Sequence, residues 1–91
     1  MRLRVPGVPE RLAQEAAAFV RELRGLDLAK PPGVAETIDW AQALAALGRR
    51  ELDAEVVEQT LRVVLKNRED VEAVRDETLA GLVDDARAAA R

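Results

Sequence analysis

The chain contains no cysteine and no histidine. Without thiols there is no disulfide staple and no thiolate nucleophile, and without imidazole there is no His-based acid/base pair and no usual zinc site. An unstapled, intracellular fold is the natural expectation. Long apolar runs are missing too: none approaches the ~20 residues needed to cross a bilayer, and Met1 to Pro6 lacks the apolar region of a signal peptide. A cytoplasmic protein with no membrane partner is expected. Phosphate-binding Gly-rich loops and nucleophile elbows are also absent, and Gly7, Gly25, Gly33, Gly48 and Gly81 stand singly, as punctuation. A basic surplus is missing as well. The net charge of −3 and the pI near 5.0 argue against a nucleic-acid partner, which normally calls for a cationic face.

What is present reads as helix. The chain is rich in alanine, has a single Phe and shows no period-two alternation, which favours helices over a sheet. At 91 residues it fits one domain, 1–91, burying about 60–65% of the surface of its unfolded chain. Charge drifts from +2 over residues 1–30 (six Lys/Arg, four Asp/Glu) to −2 over 31–66 (four and six) and −3 over 67–91 (four and seven). Solvated helix faces account for that gradient.

The spacing predicts four helices. The first begins at Pro9, whose fixed φ suits a first turn, and carries Leu12, Ala16, Phe19, Val20 and Leu23 on one face, with Arg11, Glu15, Arg21, Glu22 and Arg24 on the rest; Gly25 closes it. The second runs from about Ala35 to Leu47 with Thr37/Ile38, Ala41, Leu44 and Leu47 inward, Trp40 beside that face and Gly48 at C′. Asp53 caps a third, about Ala54 to Lys66, with Glu55 favoured by the helix dipole. Its wide apolar arc, Val56, Val57, Leu61, Val63, Val64 and Leu65, marks it as the most buried helix, contacted from two sides. Asn67 to Asp70 reads as a turn. A fourth helix carries Val71, Val74, Thr78, Leu82 and Ala86, weakened and open to a kink at Gly81.

Between the first two helices lies the least ordinary stretch, Lys30 to Trp40. Pro31 and Pro32 fix φ and remove two backbone donors, Gly33 frees the backbone beside them, and the only Trp follows in the next helix. A loop stiffened in this way is built to be presented. Trp40 has two readings: a cap on the core, or an anchor for a partner domain. The paired carboxylates Glu69/Asp70, Asp76/Glu77 and Asp84/Asp85 diverge by about 100° on a helix, so they form neither a catalytic dyad nor a metal clamp and read as solvated faces. Glu51, Asp53 and Glu55 lack the Gly and closing Glu of a calcium loop.

Met1–Pro9, Leu28–Leu47 and Glu51–Asp70 resemble the C-terminal end of MoxR-type AAA+ ATPases, in the branch found beside von Willebrand A domain proteins. The specific part is Lys30-Pro31-Pro32-Gly33 followed by Glu36-Thr37 and Asp39-Trp40. The resemblance implies an all-α, small four-helix bundle of the AAA+ lid type, whose α/β nucleotide-binding core is not among these residues. It implies a lid that covers nucleotide and passes its state on within a chaperone-like remodelling ring. The partners would be the core domain, a neighbouring ring subunit and a von Willebrand A domain protein. ATP and magnesium would belong to the complete parent, with no cofactor and no catalysis expected of this chain by itself. Lys30, Pro32, Gly33 and Glu36 would face the nucleotide, and Trp40 a partner.

One position departs from the pattern. Many AAA+ lids carry a phosphate-sensing Arg near the start of the helix after this loop, where this chain has Val34-Ala35-Glu36. A carboxylate cannot replace it, because unit charges 4 Å apart interact by about 4 kcal/mol at an effective dielectric of 20, here with a repulsive sign. Lys30 is the nearest upstream cation. The rival expectation is an independent helical interaction module or small homodimer, using Trp40 and the third helix as its surface.

Overall fold

A computed structural model describes residues 4–77 and 79–90. The protein is all-α. Its helices are α1 (Glu10–Arg24), α2 (Val34–Ala46), α3 (Ala54–Val64), α4 (Arg68–Glu77) and α5 (Leu79–Ala89), and no strand occurs among the described residues. The stretch expected as the fourth helix is helical on both sides of position 78, as α4 and α5; position 78, expected on its apolar stripe, lies outside the described residues. Val71, Val74, Leu82 and Ala86 of that stripe are buried, joined by Leu79 and Val83.

The helix ends follow from local chemistry. Gly48 takes φ +79°, which only glycine adopts cheaply, and this lets the Arg49 and Gly48 amides return to the Leu44 and Ala45 carbonyls at 3.1 and 2.9 Å, a Schellman closure. Asp53 caps α3 through its carboxylate, which accepts from the Val56 amide at 2.9 Å. Leu65 then leaves the helix in an extended conformation while keeping its side chain buried, so α3 stops short of Lys66. The expected turn at Asn67 to Asp70 is a cap followed by a first helical turn. The Asn67 side-chain oxygen accepts from the Asp70 amide at 3.1 Å, and α4 starts at Arg68.

The core lies where α1 and α3 meet the other helices. α1 packs on α5 and α2, and α3 on α2, α4 and α5. α1 buries eight of its fifteen residues and α3 five of its eleven, so the two share the interior. In α2 the buried face is Thr37, Trp40, Ala41 and Leu44. It is turned toward Trp40 relative to the expected stripe, and Leu47 is 58% exposed. The indole can be central because its N–H has a partner: Trp40 Nε1 donates to Thr60 Oγ1 at 2.8 Å, and that hydroxyl donates to the Val56 carbonyl at 2.7 Å. Phe19 packs against the ring at a centroid distance of 5.3 Å, tilted by 46°, a geometry favourable to the two quadrupoles.

Candidate functional site

The Lys30–Glu36 loop is held by hydrogen bonds from three directions. Asp70, at the start of α4, accepts from the Ala29 and Lys30 amides through its two oxygens, each at 2.9 Å. Arg24, at the end of α1, donates Nε to the Pro32 carbonyl at 3.1 Å. From α2, the Glu36 carboxylate accepts from the Gly33 amide at 2.8 Å. Thr37 returns to the Gly33 carbonyl through its amide at 3.1 Å and its hydroxyl at 2.7 Å. The prolines supply no backbone donor, so few amides in the loop need a partner, and those of Lys30 and Gly33 have one inside the protein.

Lys30, Pro32, Gly33 and Glu36 are therefore brought together, but their polar groups mostly face each other and the fold. Pro32 is buried and Lys30 exposed. The Glu36 carboxylate completes half of a capping box, the half that glycine's partner can make, since Gly33 has no side chain to return the bond. Its negative charge occupies the Gly33 amide at the N-terminus of α2. An arriving phosphate would meet a carboxylate where it needs a free N–H. A Cβ placed on Gly33 would lie 2.9 Å from that Glu36 oxygen, so glycine here makes room for the cap.

Trp40 is corrected as a partner anchor. It is 0% exposed, with its N–H satisfied by Thr60 and a face against Phe19, so no part of the indole is left to touch another protein. The large apolar side chains exposed among the described residues are instead Val34, 60% exposed beside the loop, and Leu47 at the far end of α2.

Two carboxylates assigned to solvated faces are buried. Asp70 is 4% exposed and Glu15 1%. Glu15 Oε1 accepts from the Leu52 amide at 2.7 Å, and its Oε2 lies 3.1 Å from Arg11 Nε and 4.0 Å from Arg87 Nε. Arg11 and Arg87 both continue to Glu51, at 3.2 and 3.0 Å. This cluster ties α1, the α2–α3 connection and α5 together. A signal for it was present: Glu15 stands three residues after Leu12 and four before Phe19, on the apolar stripe itself. No group of three acidic or other ligating side chains among the described residues is arranged to hold a metal ion, and no described helix is long and apolar enough to cross a membrane.

No protein-family model, no curated protein and no solved structure matches the chain. Functional assignment therefore rests on the residues and their arrangement.

Proposed function

We propose that the chain acts as a non-catalytic helical lid that packs on an α/β nucleotide-binding core of the MoxR-type AAA+ class, in the cytoplasm. The observation that carries this reading is the Lys30–Glu36 loop. It is immobilised by Asp70, Arg24 and Glu36 and sets the apolar Val34, 60% exposed, at its edge. A rigid loop with an apolar shoulder suits a rigid-body contact, because little conformational entropy remains to be lost on docking. In this reading Lys30 and Val34 touch the core, nucleotide chemistry belongs to the core, and the lid moves as a unit when the nucleotide state changes. Glu36 serves the loop as a cap and makes no phosphate contact.

The test is association with a MoxR-type core expressed without its own lid. The expected result is a stoichiometric complex in which nucleotide binds more tightly than to the core alone, weakened by Val34→Asp. ATP hydrolysis by the chain alone, or a core indifferent to its addition, overturns the reading.

A further inference from the structure

The junction of α3 and α4 forms an open concavity of about 440 Å³ lined by Arg62, Leu65, Lys66, Arg68 and Val71. That volume lies within the ~300–1,000 Å³ typical of ligand clefts. Its shape follows from the backbone: α3 ends at Val64, Leu65 turns extended, and α4 starts at Arg68, which leaves a notch closed beneath by the buried Leu65 and Val71, with cations around it.

The charges there are uncommitted. Arg62 and Lys66 are exposed and make no ion pair with another described residue. Arg68 reaches Glu72 at 3.5 Å, but both side chains are largely exposed, and such a pair is given up at little cost. The neighbouring acids are engaged elsewhere. Asp70 turns inward to the Ala29 and Lys30 amides, and Glu58 pairs with Arg75 at 3.8 Å. Glu69 is exposed and takes no part in the lining. Three cations thus share one concave surface on a chain whose net charge is −3.

We propose that this concavity docks an acidic peptide segment of a partner protein, its carboxylates on Arg62, Lys66 and Arg68. Charge complementarity fixes the sign of the occupant. The net negative charge of the chain disfavours a long polyanion such as nucleic acid, whose affinity depends on many phosphate contacts over a wide surface. A short acidic segment needs only the local field of these three cations. The proposal is independent of the lid reading, which concerns the opposite end of the Asp70 clamp.

The experiment is fluorescence anisotropy of the full chain with a short labelled probe peptide of alternating Glu and Asp. Binding is expected at low salt and should weaken steeply as NaCl rises from about 50 to about 200 mM. Arg62→Glu with Lys66→Glu should weaken it by at least about tenfold, and Arg62→Gln with Lys66→Gln by about threefold or more. The exposed pair Arg21→Glu with Arg50→Glu changes the net charge equally and should leave affinity within about twofold. All positions are on the surface, and an unchanged helical circular-dichroism spectrum verifies the fold of each variant. Absence of binding, equal loss in both reversals, or equal binding of the Gln/Asn version of the probe overturns the proposal. So does tighter binding of an oligothymidylate or of phosphatidylserine vesicles through Arg62 and Lys66.

Discussion

Glu15 and Asp70 do the same job by different means. Each is a buried carboxylate that joins segments far apart in sequence: Glu15 takes the amide of Leu52, 37 positions on, and Asp70 takes those of Lys30 and Ala29, 40 and 41 positions back. Glu15 sits in an ionic cluster with Arg11 and Arg87 beside it. Asp70 is held by the neutral backbone donors of Ala29 and Lys30, residues that are themselves exposed. The difference lies in what water can repair. The Leu52 amide bond is buried, whereas the Ala29 and Lys30 amides are only part-buried, and an unpaired group costs most where solvent cannot reach it.

Glu15→Ala should therefore show the largest effect. It strands the Leu52 amide and leaves Arg87 without its deepest neighbour, and a loss of about 3–5 kcal/mol is expected in urea unfolding. Arg87 Nε already lacks a hydrogen-bond partner, so this cluster has no spare acceptor to take over. A loss no larger than that of a surface substitution would show that the cluster is decoration.

Asp70→Ala should cost less, about 1–3 kcal/mol, and its signature should be local. Amide exchange at Ala29 and Lys30 should accelerate by more than global destabilisation explains, while Leu52 exchange should follow global stability alone. Equal acceleration at all three amides would erase the distinction between the two clamps.

Glu36→Gln should be the mildest, a few tenths of a kcal/mol, since the amide oxygen can still accept from Gly33 and only the charge at the helix N-terminus is lost. Thermal unfolding measures it. A loss above about 1 kcal/mol would place Glu36 in the same class as Asp70.

The sequence made some of this visible and hid the rest for a physical reason. Helix ends at Gly25, Gly48 and Asp53 were legible because caps act within a few residues. Asn67 is equally legible as a cap, with Glu69 and Asp70 in the first turn after it, although polar residues in a row suggest a turn. The stiffness of the Pro31-Pro32 loop could be anticipated, whereas its tie to Asp70 could not, because a carboxylate's burial depends on which distant amide arrives beside it. Glu15 is intermediate: its place on the apolar stripe was readable, its partner was not. Trp40 was placed beside the core because helical periodicity ranks positions by direction and says nothing about Thr60, the hydroxyl that makes a fully buried indole affordable.

The burial of Trp40 also makes the protein its own optical instrument. With one Trp and no Tyr, near-ultraviolet absorption and emission come almost entirely from a single indole enclosed by α1, α2 and α3. Its light reports on the interior and is blind to the Lys30–Gly33 rim. A change that loosens the loop while leaving the core closed is therefore silent in fluorescence, and a signal that moves means that the core itself has opened.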